Sequence, residues 1–170
     1  MGSTAPTTKS QTPADGAAPP CAAFDGDVLE RTPLFGGMPE DCRCILTDRM
    51  EIRSCGEGAH IYREGDPGRE LFILAQGHVE VRHGDILMAR LGPGDFFGEC
   101  SFLDMQPRGT AVRAVDEAQI YVIPYTALRN LYQVNMRMYA LIVMNLAREM
   151  SRRLRGSYSL MCDKTQPPHA

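Results

Sequence analysis

The sequence lacks several features that would assign it to a specialised class of protein. It has no tryptophan, only 7% aromatic residues, and no apolar run approaching the ~18–20 residues of a membrane-spanning helix. Its first thirty residues lack the basic and apolar regions that form a signal peptide. None of its six cysteines forms a CxxC pair. These absences predict a cytosolic protein with reduced thiols and without a membrane segment, structural metal or disulfide framework.

The chain is long enough to fold without covalent or metal staples. It has 170 residues, of which 44% are hydrophobic and 23% charged. A chain of about 150 residues buries roughly 70% of its extended surface on folding. Length and composition therefore predict one ordinary globular domain.

The net charge of −3 conceals an uneven distribution of charge. Residues 1–123 carry 11 basic and 19 acidic side chains, whereas residues 124–156 carry six arginines and one glutamate. The ordinary interpretation of such a basic segment is a solvated helix face. Because the rest of the chain is acidic, we expect no DNA binding by this chain alone.

Composition divides the chain into three parts. Residues 1–23 contain 18 alanine, proline, threonine, glycine or serine residues, which predicts a disordered leader. Residues 24–156 are predicted to form the folded domain, including a C-terminal helix. Residues 157–170 are predicted to be a short tail, since Gly156 is a typical helix terminator.

Short runs of strand length fill the middle of the folded part. Ten of the sixteen glycines lie between residues 51 and 114 and separate these runs. The runs are His60–Arg63, Glu70–Ala75, His78–Arg82, Ile86–Leu91 and Ala118–Ile123. Short, evenly spaced strands with glycine turns are typical of an antiparallel barrel or jelly roll.

Helical periodicity flanks the strands. It begins at Val28, and Pro39 with Glu40 and Asp41 resembles the first turn of a second helix. After Pro124 the period becomes helical again, with two apolar faces. The first is a seam of Met136, Ala140, Val143, Ala147, Met150 and Leu154, and the second consists of Leu131, Val134, Met138, Ile142 and Leu146. The second face is predicted to cover the barrel, and the seam predicts a homodimer.

The predicted fold class is therefore α+β and mainly β. It is a jelly roll, or double-stranded β-helix, flanked by N-terminal helices and a long C-terminal helix.

The segment from Gly92 to Ala114, GPGDFFGECSFLDMQPRGTAVRA, carries the candidate chemistry. Residues 98–101 can begin a helical turn whose free N–H groups bind an anion. Arg108 can return to the same place and neutralise a phosphate with paired N–H donors. Glu99 would repel a bare polyanion, but its carboxylate would accept a hydrogen bond from a neutral sugar hydroxyl. These residues therefore suit a sugar phosphate of low charge.

The same segment resembles the phosphate-binding cassette of the cyclic nucleotide-binding domain family. The matching motifs are Phe97-Gly98-Glu99, Pro107-Arg108 and Val112-Arg113-Ala114, and we call residues 97–114 the cassette. The resemblance extends to Pro33-Leu34-Phe35, to the turn at residues 64–68, to Leu71-Phe72-Ile73-Leu74 and to Gly92-Pro93-Gly94-Asp95-Phe96. It covers about residues 28–155.

The resemblance implies a jelly roll that binds a 3′,5′-cyclic nucleotide. By this resemblance Glu99 would bind the ribose 2′-hydroxyl, and Arg108 with the amides of Gly98, Glu99, Cys100 and Ser101 would hold the cyclic phosphate. Val81 and Met88 would line the base. In the catabolite-activator branch, hydroxyl residues late in the long helix contact the base, which points to Ser157 or Tyr158.

The residues after the cassette arginine bear on the choice of nucleotide. Threonine directly after that arginine is associated with cGMP preference in the family, but this position is Gly109 here and Thr110 follows it. The resemblance therefore implies cAMP as the ligand, with cGMP second. Thr110 remains a candidate to replace the missing hydroxyl.

The predicted output is regulatory. An anion that closes the cassette would shift a hinge near residues 124–127 and move the C-terminal helix towards a downstream protein partner that the sequence does not identify.

Two other binding functions fit parts of the sequence. A DNA-binding transcription factor of the same family would continue into a helix-turn-helix domain, whereas only 15 residues follow Arg155, so this alternative requires a fragment. A sensor of another ligand could use the same barrel. That ligand would be a cyclic dinucleotide, or haem or a redox signal, for which Cys42, Cys44 and Cys55 do not form a convincing ligand set.

An enzyme is the third alternative, since metal-dependent cupins share a similar barrel. Such a site needs clustered histidine and glutamate ligands on neighbouring strands. His78 and Glu80 share a strand face but lack a His-x-His partner. We therefore expect no catalytic residue, no metal and no resident cofactor.

Overall fold

The computed structural model of the protein describes residues 23–165, with side chains through residue 158. The predicted leader lies outside this range apart from its last residue, and residues 166–170 of the predicted tail also lie outside it. Within the range, the helices are α1 (Gly26–Arg31), a 3₁₀ helix (Pro33–Phe35), α2 (Glu40–Thr47), α3 (Glu99–Asp104), α4 (Tyr125–Val134) and α5 (Met136–Thr165). The strands are β1 (Glu51–Cys55), β2 (His60–Tyr62), β3 (Glu70–Gln76), β4 (Val79–His83), β5 (Ile86–Leu91), β6 (Phe96–Phe97), β7 (Ala111–Ala114) and β8 (Ala118–Pro124).

Two antiparallel sheets of four strands each form the jelly roll, which confirms the predicted fold class. The first sheet has the order β1-β8-β3-β6 and the second the order β2-β7-β4-β5. The five predicted strands are present within two residues of their predicted ends. Strands β1, β6 and β7 were not predicted as separate strands.

Strand β3 contributes to two hydrophobic cores. Residues 71–75 are all buried. Alternate side chains of a strand point to opposite faces of its sheet, so both faces of β3 are covered. Phe72 and Leu74 pack between the two sheets, whereas Leu71, Ile73 and Ala75 pack beneath the helices. The unbroken apolar run Leu71-Phe72-Ile73-Leu74 is thus explained by cover on both faces.

The helices cover the outer face of the first sheet. Leu131, Ile142 and Leu146 are buried there and Met138 packs against them, as the second apolar face predicted. The prediction is wrong for Val134, which is 61% exposed. Asn135 interrupts the helix with extended φ, and its side-chain oxygen accepts a hydrogen bond from the Met138 amide to cap α5. The break rotates Val134 away from the face that continues in α5.

Helix α5 does not end at Gly156 but continues to Thr165, so the predicted tail is helical through that residue. An added Cβ at Gly156 would meet nothing within 4 Å, and one glycine lowers helix stability by only about 1 kcal/mol relative to alanine. The seam residues of α5 are exposed or half-buried within the described chain, with Met136 55% and Leu154 52% exposed.

A buried amide ties α5 to the N-terminal 3₁₀ helix. Asn145 is 6% exposed, and its Nδ2 group donates to the carbonyl oxygens of Leu34 at 3.0 Å and Gly36 at 2.9 Å. Its Oδ1 atom accepts from Arg148 at 3.1 Å. These two hydrogen bonds attach α5 to the 3₁₀ helix by satisfying carbonyl groups that have few helical partners of their own.

Candidate ligand-binding site

Two glycines allow the cassette to fold tightly against strand β3. Gly98 adopts a left-handed φ of 83° before α3, and a Cβ there would lie 2.7 Å from Arg108 Nη1. Gly68 lies against α3 so closely that a Cβ would be 2.1 Å from the Ser101 Cβ. Larger residues would displace the segment that carries the candidate site.

Arg108 is the central cation of the site and is only 3% exposed. Its Nη1 donates to the Gly98 carbonyl at 2.8 Å and its Nη2 to the Glu70 carbonyl at 2.7 Å. Burial lowers the pKa of this guanidinium, although an arginine remains charged in proteins. The neighbouring carboxylates are engaged elsewhere, that of Glu70 by Arg53 and that of Glu99 by Arg153.

The Nε atom of Arg108 has no hydrogen-bond partner among the described residues. It is the one buried side-chain nitrogen or oxygen in that part of the chain without a partner. Buried polar groups are satisfied in the large majority of native structures, so an exception points to a functional group. Together with the absence of an ion pair to a described carboxylate, it makes Arg108 a candidate to bind an anion.

Two aromatic rings, those of Tyr62 and Phe72, lie under this arginine, and a third, that of Phe97, stacks on Phe72. The Tyr62 and Phe72 rings stack at 5.7 Å, and the Phe72 and Phe97 rings stack at 5.2 Å. Burial raises the pKa of Tyr62, while a hydrogen bond with the Thr110 side chain acts in the opposite direction. Thr110 is therefore turned towards Tyr62. Sequence reasoning missed Tyr62, whose signal was an aromatic residue on the strand beside the cassette.

Glu99 links the cassette to α5. It is 8% exposed, and its Oε1 atom lies 3.0 Å from Arg153 Nη1. Arg153 also donates to the Phe96 carbonyl at 2.6 Å and to Glu149 at 3.1 Å. Its guanidinium lies 5.0 Å from the centre of the Phe96 ring. Arg153 was not among the predicted site residues, because helix periodicity places a side chain on a face without showing what crosses from the barrel.

The structure brings together the core of the predicted site and leaves its periphery apart. Ser101 is buried beside Arg108's loop, with its hydroxyl 3.3 Å from the Pro107 carbonyl, whereas Cys100 is exposed. The Gly109 carbonyl lies 3.0 Å from His83 Nδ1.

The residues predicted at the base are more open. Val81 is half-buried against the inter-sheet core, and Met88 is 60% exposed. The Ser157 hydroxyl donates to the Arg153 carbonyl at 3.0 Å. Their contact with a base stays a prediction.

The residues that suggested an enzyme are engaged in other contacts. The Glu80 carboxylate lies between Arg90, Arg82 and Arg113, at 3.0, 3.4 and 3.5 Å. His78 pairs with Asp116 at 2.8 Å. Among residues 23–158 no three histidine, cysteine, aspartate or glutamate side chains converge as metal ligands.

A family profile described as cyclic nucleotide-binding domain matches residues 52–135. The chain contains a domain of this family. The match runs from the second residue of β1 through β8 and includes the whole cassette and all of α4, so the family resemblance inferred from the motifs is confirmed.

Relatives of this domain occur in regulatory proteins. The cyclic AMP receptor protein of Thermus thermophilus is 32% identical over 133 residues, which are 75% of this chain and 59% of that protein. The cAMP-dependent protein kinase regulatory subunit of Mycosarcoma maydis is 33% identical over 102 residues, 56% of this chain and 19% of the relative. The chain thus spans between about a fifth and three fifths of these curated relatives.

Solved structures show the same fold. A cyclic nucleotide-binding domain from Methylobacillus flagellatus has a TM-score of 0.74 at 23% identity, covering 85% of this chain and 84% of that one. The Thermus thermophilus catabolite activator protein has a TM-score of 0.66 at 29% identity, covering 78% and 62%. A search of the described helices finds none that is long and apolar enough to span a membrane.

Alanine at Gly68 is expected to destabilise the cyclic nucleotide-binding domain by roughly 1–3 kcal/mol, because its Cβ would overlap Ser101 in α3. Gly109→Ala is the matched control, since a Cβ at Gly109 meets nothing within 4 Å, and its effect should stay within about 0.5 kcal/mol. Urea denaturation of both variants measures the difference. Equal stabilities would show that α3 does not pack on residue 68 in solution.

Proposed function

We propose that this chain is a regulatory module that binds a 3′,5′-cyclic nucleotide, with cAMP as the preferred ligand, and signals without catalysis. The observation that carries the proposal is Arg108, a buried cation with an unpartnered Nε and no ion pair to a described carboxylate. A cyclic phosphate carries a single negative charge and several acceptor oxygens. The cyclic phosphate would supply the negatively charged partner that the guanidinium lacks and an acceptor for its Nε–H group.

Glu99 argues for a nucleotide over a bare anion. Its carboxylate lies in the cassette with Arg108, where a polyanion would be repelled. Oε1 is held by Arg153, so Oε2 can accept a hydrogen bond from a neutral hydroxyl. A ribose 2′-hydroxyl beside a cyclic phosphate satisfies this requirement.

The residues after Arg108 support cAMP over cGMP. Gly109 has no side chain to offer a guanine. With no hydroxyl directly after Arg108, guanine does not gain the hydrogen bond that such a residue would supply.

Arg153 supports a route from the ligand to α5. One guanidinium contacts Glu99 in the cassette, the Phe96 carbonyl in β6 and Glu149 in α5. A ligand that repositions Glu99 would change the position of α5 through these contacts. Coupling of this kind is typically worth about 1–3 kcal/mol. The output is then a change in α5 that a downstream protein recognises.

A homodimer through the α5 seam belongs to the same proposal. The seam presents Met136, Val143, Met150 and Leu154 on one side of the helix, while Ile142 and Leu146 on the other side are buried against the barrel. A second copy would bury the seam at heptad spacing.

Thermal melting tests nucleotide binding. At 100 times its Kd a ligand stabilises the folded state by about 2.7 kcal/mol, which raises the Tm by several degrees for a domain of this size. We expect this shift with cAMP, a smaller one with cGMP at equal concentration, and none for Arg108→Ala. Arg129→Ala, which removes an exposed arginine of α4, is the control and should respond like the wild type. No shift with either nucleotide would refute the proposed function.

Arg153→Leu tests the route to α5. Loss of the contact to Glu99 should weaken cAMP binding about five- to tenfold, since a charge-assisted hydrogen bond is lost. It should also remove the ligand-dependent change in hydrogen exchange across residues 136–158. Arg152→Leu is the matched control, because Arg152 pairs with Glu149 only on α5. A wild-type exchange response in Arg153→Leu would contradict the coupling.

Val143→Asp tests the dimer. A carboxylate at the centre of the seam should convert the protein to a monomer, as measured by size-exclusion chromatography with light scattering. Gln133→Asp places the same charge on the exposed side of α4 and should leave the mass unchanged. A Val143→Asp protein that keeps the dimer mass would exclude the seam as the interface.

A further inference from the structure

The guanidinium of Arg108 is held by carbonyl groups and aromatic faces. Its Cζ atom lies 4.3 Å from the centre of the Tyr62 ring and 5.2 Å from that of Phe72. Two of its five N–H groups donate to the Gly98 and Glu70 carbonyls. Three N–H groups, including the buried Nε–H, remain for other acceptors.

An aromatic ring stabilises a cation in a way that a carboxylate does not. The ring face attracts the positive charge through its quadrupole and accepts none of the in-plane N–H groups. A carboxylate at the same place would form paired hydrogen bonds and cancel the charge. A ring beneath the guanidinium therefore offsets part of the cost of burying the charge and leaves it available to an anion.

Tyr62 is better placed for this role than Phe72. Its ring is nearer to the guanidinium, and it comes from β2 in the second sheet, whereas Phe72 belongs to the first. The two rings are inclined by 30°, and the Phe72 ring is in turn stacked on Phe97. This stack fixes the plane of Tyr62, which is 8% exposed.

We propose that Tyr62 is a positioning residue for phosphate binding, holding the Arg108 guanidinium in place and charged by contact with its ring face. The proposal rests on the cyclic nucleotide function described above. Tyr62 itself touches the arginine and acts on the ligand only through it. The ring, and not the phenol hydroxyl, is the group that matters.

A series of rings at position 62 tests the role of the aromatic face. The variants are Tyr62→Phe, Tyr62→4-fluorophenylalanine, Tyr62→3,4,5-trifluorophenylalanine and Tyr62→Leu, the fluorinated residues being introduced by nonsense suppression. Fluorine withdraws charge from the ring face with little change in size. We expect Kd for cAMP to stay within about threefold for phenylalanine, to rise stepwise with fluorination and to rise about tenfold for leucine.

Two controls separate positioning from folding. The Tm of each ligand-free variant is measured, since a purely structural role would lower Tm without ordering Kd by fluorine content. Each ring variant is also combined with Arg108→Gln, where no cation remains. Because these double variants are not expected to bind cAMP, they are compared by the ligand-free Tm, which should no longer depend on fluorine content. A Kd that is constant across the series, or a Tm that depends equally on fluorine content with Arg108→Gln, overturns the proposal.

Dimethyl phosphate, a phosphodiester with one negative charge and no sugar, separates this proposal from the proposed function. Its binding to the same variants is followed by the side-chain Nε–H resonance of Arg108. If the wild type binds dimethyl phosphate with the expected ring dependence but no cyclic nucleotide, the proposed function fails and the role of Tyr62 stands. If it binds cAMP without ring dependence, the role of Tyr62 fails and the proposed function stands. If it binds neither, both are overturned.

Discussion

A buried positive charge without a carboxylate partner is the constraint on which the site depends. Moving an isolated ion out of water costs several kcal/mol, and proteins usually recover this with an opposite charge. Here two carbonyl oxygens and two ring faces stabilise Arg108. Gly98 follows from the same constraint, because any Cβ would press against the guanidinium. The jelly roll supplies these partners because Tyr62 of the second sheet and residues of β3 in the first sheet both contact Arg108.

The sequence was most informative where geometry leaves few choices of residue. Glycine spacing located five strands, and the order of the cassette motifs was enough to locate Gly98, Glu99 and Arg108. Strands β1, β6 and β7 were not predicted, and for β6 the reason is that no period can be read from two residues. Contacts between segments that are distant in sequence were also not predicted. Arg153 meets Glu99 across 54 residues, and its helical position shows only which face it occupies.

The two errors in the helices have local causes. Val134 shares a helical period with Leu131 and Ile142, but Asn135 ends α4 and caps α5, so the period does not continue in space. Gly156 is a common helix terminator, yet nothing in its surroundings requires a turn, and α5 continues through it. In both cases one residue's backbone conformation decided the outcome, and composition does not specify it.

The two anchors of α5 explain how a small event in the cassette could reach the rest of the molecule. In the third turn of α5, Asn145 binds the carbonyls of the 3₁₀ helix, and two turns later Arg153 binds Glu99 and the Phe96 carbonyl. The first anchor is buried and joins helix to helix, whereas the second joins helix to barrel through a single guanidinium. A rearrangement at Glu99 therefore acts on the anchor that joins α5 to the barrel. The helical layer would then move as one unit against a barrel whose own core is unchanged.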